Sequence, residues 1–220
     1  MKIVNVEQGT PEWLASRAGK VTASMIENVL AGPTTAARLN YQAQIVAEIL
    51  TGKPQGSVYV NEAMRFGTEQ EPFARSAYEV TRGVLVDQVG FVYHPTIDRA
   101  GASPDGLVGE GLVEIKCPQM ATHLQYQIEQ KIPPKYQKQM LWQMACTEKN
   151  WCDFISFRPE LPEKLQLLVI RFDRDDKEIK KIETEVMKFL KEADQLLEKL
   201  NDLCKFLNET DQLLEKLNGL

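Results

Sequence analysis

The chain has 220 residues, enough for one domain with a substantial core, and its balance of 43% apolar to 26% charged residues is that of a soluble globular protein. No run approaches the roughly 20 apolar residues of a membrane helix, and Met1-Lys2-Ile3-Val4-Asn5 opens no signal-peptide stretch, so a cytoplasmic protein with no membrane association is expected. A net charge of −5 excludes a uniformly basic nucleic-acid binder; a DNA site here needs its cations segregated into a groove.

Thr10 caps and Pro11 opens a short helix through Arg17, which Gly19 ends. Thr22 or Ser24 starts a second helix with Met25, Ile26, Val29 and Leu30 as its apolar face, closed by Gly32-Pro33. Ala43, Val46, Ala47 and Leu50 give residues 36–51 a helical period, and Gly52-Lys53-Pro54-Gln55-Gly56 is a loop. A long helix fits Glu62 to Arg82, with Gly67 and Pro72 as points where it can bend. Val84-Leu85-Val86, Gly90-Phe91-Val92-Tyr93 and Leu112 to Cys117 favour strands, with turns at Pro104-Asp105-Gly106 and Gly109-Glu110-Gly111. Residues 84–117 therefore read as a small, mostly antiparallel sheet. Helices are expected at 121–130 and 134–147, and strands at Trp151–Arg158 and Leu165–Phe172.

From about residue 175 the pattern is helical to the end. Val186, Phe189, Ala193, Leu196, Leu200, Leu203, Leu207, Thr210, Leu214 and Leu217 alternate three and four apart, a heptad seam. The octet Asp-Gln-Leu-Leu-Glu-Lys-Leu-Asn occurs at 194–201 and again at 211–218. The seam either packs on the domain or forms a coiled coil between subunits or with a partner. Packing is favoured for its first half, and Leu203 to Leu220 are left open. The division expected is a domain over 1–175 and a helical extension over 176–220. Cysteines at 117, 146, 152 and 204 show no CxxC pair and read as reduced thiols rather than metal or iron–sulfur ligands.

The chemistry concentrates in Pro104-Asp105, eight intervening residues, and Glu114-Ile115-Lys116. Alternation along a strand sets Glu114 and Lys116 on one face and Val113, Ile115 and Cys117 on the other. A turn at Gly109–Gly111 folds Asp105 back towards Glu114. Either half alone has an ordinary reading, a solvated strand face or a plain turn. Together they make two carboxylates and an ammonium at one point, which suits phosphodiester hydrolysis. The carboxylates are hard oxygen ligands for Mg²⁺ or Mn²⁺, and the lysine orients water or stabilises developing charge. The carbonyl of Ile115 is a further ligand candidate. This pattern resembles that of the PD-(D/E)xK nucleases.

The wider sequence resembles the YqaJ-like viral recombinase family. The motifs, in order, are Gln8-Gly9-Thr10-Pro11-Glu12-Trp13 with Arg17 and Thr22-Ala23-Ser24; Phe66-Gly67-Thr68-Glu69-Gln70-Glu71; Ser103-Pro104-Asp105-Gly106; Glu114-Ile115-Lys116-Cys117-Pro118; and Tyr136-Gln137-Lys138-Gln139-Met140. They span roughly residues 5–175. The resemblance implies an α/β fold of the α+β kind: a restriction-endonuclease-like core with a central mixed sheet flanked by helices, followed by the long C-terminal helix. It implies a 5′→3′ exonuclease on double-stranded DNA ends, assembled as a homotrimeric ring, partnered by a phage-type single-strand annealing protein, in the host cytoplasm. It further implies that Asp105, Glu114 and the Ile115 carbonyl hold metal with Glu71 assisting, that Lys116 is the catalytic lysine, and that Gln139, with which nearby Gln137 and Gln143 could be confused, positions water or Lys116. Arg17 and Ser24 then bind the 5′-terminal phosphate, where a guanidinium fork and a hydroxyl near a helix start suit phosphate oxygens.

The same resemblance sets Met64 at a strand-separating wedge, against the reading of a core methionine at helical spacing. Trp13 reads as packing, and His94 and His123 as structural. After Gly32-Pro33, where a DNA-gripping cation is expected, Thr34-Thr35 stand instead, with Arg38 the nearest cation. The rival functions are a site-specific endonuclease of the same fold and a catalytically inactive DNA-end-binding scaffold.

Overall fold

The computed structural model describes residues 1–55 and 62–218, with side chains as far as Asp211. Gly56 of the expected loop, the side chains of Leu214 and Leu217, and those of the second octet after Asp211 lie outside the described residues. The N-terminal part is β1 (Ile3–Val4), α1 (Pro11–Arg17), β2 (Val21–Thr22), a 3-10 turn (Ala23–Met25), α2 (Ile26–Leu30), α3 (Ala36–Thr51) and α4 (Glu62–Arg82). Then come β3 (Phe91–Tyr93), β4 (Ala100–Ala102), β5 (Gly106–Val108) and β6 (Gly111–Lys116). The remainder is α5 (Met120–Glu129), α6 (Pro134–Thr147), β7 (Trp151–Phe157), α7 (Glu163–Gln166), β8 (Leu167–Asp173) and α8 (Asp176–Asn218).

Local chemistry explains several boundaries. The Thr10 hydroxyl accepts from the Trp13 N–H at 3.3 Å to cap α1. The Thr35 hydroxyl caps α3, and Gly52 closes it in the left-handed region at φ 63°. Helix α4 is assigned as one element through Pro72.

Among the described residues the strands form two four-stranded mixed sheets, ordered β1-β3-β4-β2 and β5-β6-β7-β8. In the second, β6 pairs antiparallel with β5 and parallel with β7, which pairs antiparallel with β8. Gly111 is the partner of Trp151, and the indole lies across it where any Cβ would collide. Helix α4 covers one face of this sheet: Val113, Ile115 and Ile155 pack with Ala74 and Tyr78. The opposite faces share a larger core, where Leu112 and Phe154 meet Met140, Trp142 and Met144 of α6.

Four expectations change. Residues 84–86 form no strand. The Val86 N–H is taken by the Glu79 carboxylate at 2.8 Å, Val86 packs into the α4 core, and only Asp87 bridges to Leu107. The single antiparallel sheet expected over 84–117 is divided between both sheets, parting at Ser103-Pro104-Asp105. Pro104 has no N–H to extend a ladder. Third, Val21–Thr22 pair parallel with β4, and the second helix begins only at Ile26. The last strand also starts slightly later than expected, at Leu167, after the short α7.

The seam of α8 has two fates. Ile179, Ile182, Val186, Phe189, Leu190 and Ala193 are buried in the large core, with Leu196, Leu197 and Leu200 packed at its rim. Beyond it Leu203, Phe206 and Leu207 are 51%, 63% and 51% exposed. No helix among the described residues is long and apolar enough to cross a membrane.

Candidate active site

Asp105 stands one residue before Gly106, whose register partner is Val113, so the hairpin brings Asp105 level with Glu114. The Ile115 N–H donates to Asp105 Oδ2 at 2.6 Å. Glu114 is fully buried on the α6 side of β6. Its Oε1 accepts from Gln139 Nε2 at 2.7 Å and pairs with Lys116 Nζ, while Oε2 accepts from Gln143 Nε2 at 2.6 Å. Lys116 also lies 5.4 Å above the centre of the Tyr136 ring.

Charge is out of balance here. Burial, then the nearby Glu114 carboxylate, holds the Asp105 carboxyl well above the ordinary range, with Glu71 adding to the effect; Lys116 and the Ile115 N–H oppose it. Burial by itself would lower the Lys116 ammonium, but the Glu114 and Asp105 carboxylates outweigh it and raise it. The Cys117 thiol, on the other face, is pushed up to about 12 by burial and by Glu71. Glu71 pairs with Arg75 at 2.7 Å on α4.

Among the described residues no three His, Cys, Asp or Glu side chains converge tightly enough to form a ligand group. The convergence is thus a carboxylate pair, with Glu71 felt electrostatically and tied to Arg75. The pair still fits a divalent cation. Its donors are hard oxygens, and its buried negative charge is what such an ion relieves.

The Arg17 guanidinium lies 4.0 Å over the Trp13 ring, and the Trp13 Nε1–H donates to Ser103 Oγ at 2.9 Å, two residues before Asp105. Gln8 Nε2 donates to the Pro104 carbonyl at 2.9 Å. The N-terminal motif and the Asp105 loop are therefore one hydrogen-bonded unit. Trp13 is half-buried beneath Arg17 and belongs to neither core cluster. Ser24 is exposed on the 3-10 turn. Met64 is 54% exposed on the first turn of α4 and is not a core residue.

Arg38 is buried, bound to the Val29 carbonyl and paired with Glu192 at 2.8 Å, so the nearest cation after Gly32-Pro33 is structural. Both histidines are interior. His94 stacks on Trp142 with Nε2 3.2 Å from Glu183, and His123 sits 2.8 Å from both Ser156 Oγ and the Leu165 carbonyl. Gln137 serves the Ile132 carbonyl. Gln143, a neighbour that the sequence allows to be confused with Gln139, also holds Glu114. Its signal was the four-residue spacing from Gln139, which puts both on one face of α6.

Residues 12–150 match the model of the YqaJ-like viral recombinase domain. An alkaline exonuclease from Laribacter hongkongensis, LHK-Exo, is 46% identical over 90% of this chain and 100% of its own, with a TM-score of 0.84. LHK-Exo in complex with dAMP superposes with a TM-score of 0.85 at the same identity and coverage. A phage-related exonuclease from Haemophilus somnus 129PT, 18% identical over 82% of this chain and 96% of its own, shares the fold at a TM-score of 0.66. No curated protein sequence matches significantly.

Proposed function

Because this chain belongs to the YqaJ-like viral recombinase family, we propose that it is a metal-dependent exonuclease degrading the 5′-ended strand of double-stranded DNA, leaving 3′ overhangs for recombination by strand annealing. The observation that carries this is half-buried Asp105 beside fully buried Glu114, with Lys116 against Glu114. The 46% identical relative, itself an alkaline exonuclease, supports the direction of the reading.

Asp105, Glu114 and the Ile115 carbonyl, assisted by Glu71, would hold Mg²⁺ or Mn²⁺, which supplies Lewis-acid stabilisation of the phosphate and a lowered pKa for bound water. The other work belongs to the chain. Gln139 and Gln143 hold Glu114 from both oxygens. Lys116, kept protonated by two carboxylates, presents an ammonium to the developing negative charge or orients the attacking water. Arg17, seated on Trp13, takes the 5′-terminal phosphate with Ser24. Met64, exposed at the start of α4, is the side chain proposed to part the strands. The catalytic unit is assigned to 1–175 and the helical extension to 176–220. A homotrimeric ring, a phage-type annealing protein as partner, and action in the host cytoplasm complete the reading.

Digestion of linear duplex DNA carrying a 5′-phosphate and labelled at either end, with and without Mg²⁺, beside a closed circle, tests it. Mononucleotide release from 5′ ends of the linear DNA alone is expected. Cut circles identify an endonuclease, and binding without cleavage identifies a scaffold.

A further inference from the structure

The chain carries 31 acidic and 26 basic residues, and many of its arginines are held in ion pairs. Arg38 pairs with Glu192, Arg75 with Glu71, Arg99 with Asp194, Arg171 with Asp153 and Arg174 with Asp176. Arg17 differs. Its guanidinium packs on Trp13 and, among the described residues, has no ion pair and no side-chain hydrogen bond. Three residues on, Lys20 is also half-buried and without an ion pair among the described residues; its Nζ donates to the Ala18 carbonyl at 3.3 Å and lies 5.8 Å over the centre of the Tyr93 ring.

The turn between them is fixed. Gly19 adopts φ 69°, and its N–H donates to Glu48 Oε2 at 2.7 Å. The Lys20 N–H donates to the Arg17 carbonyl at 3.1 Å, and the Tyr41 hydroxyl donates to the Lys20 carbonyl at 3.3 Å. Glu48 is occupied by the Gly19 and Gln55 backbone N–H groups and by Gln44. It supports the charge of Lys20 and Arg17 through space without pairing with either. Two cations around one carboxylate leave a surplus positive charge in a pinned turn. Burial lowers both groups from their ordinary range, a cost that an arriving anion offsets.

We infer that Lys20 is the second cation of the subsite built on Arg17, and that together they select a phosphate monoester over a hydroxyl or a diester. A monoester carries about −1.5 to −2 charges near neutral pH, whereas each diester carries one. One guanidinium matches the diester charge; a guanidinium with an ammonium matches the monoester. The assignment rests on the exonuclease reading, in which a 5′-phosphate binds at Arg17, whose Trp13 platform is tied to the Asp105 loop by its hydrogen bond to Ser103. It makes Lys20 a determinant of end specificity, not a catalytic residue.

The same monoester occurs on a DNA end and on a released mononucleotide, so the test uses both. Binding of the full chain in EDTA to short duplexes bearing a 5′-phosphate or a 5′-hydroxyl is measured across salt concentrations, with dAMP and deoxyadenosine as competitors. Wild type is compared with Arg17→Ala, Lys20→Met and Lys20→Arg. Lys20→Met is expected to reduce the 5′-phosphate preference about tenfold and the salt slope by about one, while Lys20→Arg retains both. Competition by dAMP and not deoxyadenosine, weakened in Lys20→Met, assigns the free nucleotide to the same site. Lack of competition by dAMP restricts the site to DNA ends. An unchanged preference in Lys20→Met overturns the proposal and leaves Arg17 standing. A wild type that degrades linear DNA without preferring a 5′-phosphate in binding overturns the whole subsite but not the exonuclease. A phosphate preference in a protein that degrades nothing, lost in Lys20→Met, supports the anion site and removes the exonuclease reading.

Discussion

Gln143 donates to Glu114 Oε2 at 2.6 Å in a place where both side chains are fully buried. Gln139 and Lys116 occupy the other oxygen. Glu114 is therefore gripped at both oxygens.

Gln143→Leu leaves a buried carboxylate oxygen without a donor. A stability loss of about 1.5–3 kcal/mol is expected, with a Mn²⁺ affinity about 10–100-fold weaker. Chemical denaturation and titration calorimetry on the metal-free protein measure the two separately. Unaltered Mn²⁺ affinity would show that Gln143 does not position Glu114.

Lys116→Ala removes the ammonium that Glu114 and Asp105 hold protonated. Nucleotide release from linear duplex is expected to fall at least about 10²–10³-fold, while DNA ends are still bound. Turnover at the wild-type rate would exclude Lys116 from the reaction.

The histidines set a pH dependence of stability. Burial lowers the pKa of both His94 and His123. At His94 the Thr96 and Ile97 N–H groups donate to Nδ1, at 3.3 and 3.2 Å, so its proton sits on Nε2 facing Glu183. A lowered folded-state pKa means the unfolded chain binds more protons. Stability is thus full above the unfolded pKa of about 6.5 and is lost as pH falls towards the folded values. Calorimetry in buffers of different ionisation enthalpy should detect proton uptake on unfolding just below about pH 6.5. Zero uptake there would rule out neutral interior histidines.

Truncation after Asn201 removes the part of α8 that leaves the core. A change of no more than about 0.5 kcal/mol is expected, as for surface changes elsewhere. Phe189→Ala, in the buried part of the same seam, should cost about 3–5 kcal/mol. Equal melting-temperature losses in the two variants would mean that the exposed stretch is stabilised by association.

Much of the carboxylate pair was legible in the sequence because its geometry is local. Asp105 and Glu114 are joined by one hairpin, and the two-residue period of a strand alone sets Glu114 and Lys116 on one face. Helices α1, α3, α4, α6 and α8 were legible for the same reason: caps, glycine stops and a helical period act within a few residues. Where the reading failed, at Val84–Val86 and at the division of 84–117 between two sheets, apolar character was right. The ladder partner was not encoded nearby, and Glu79 took the Val86 N–H.

What the sequence by itself determined is the carboxylate–lysine hairpin, the order of the helices and the motif set of the family. Tertiary structure alone decided that Gln143 grips Glu114, that Trp13 ties Arg17's platform to Ser103, and that Arg38 is buried against Glu192 while Arg17 and Lys20 keep no ion pair among the described residues. It also decided that the heptad seam is core as far as Ala193 and exposed at Leu203 and Leu207. The physical reason is range. Strand alternation, caps and turns are fixed by neighbours in the chain, whereas a side chain's charge partner and burial depend on residues 29 to 154 positions away, brought near only when the sheets and helices pack.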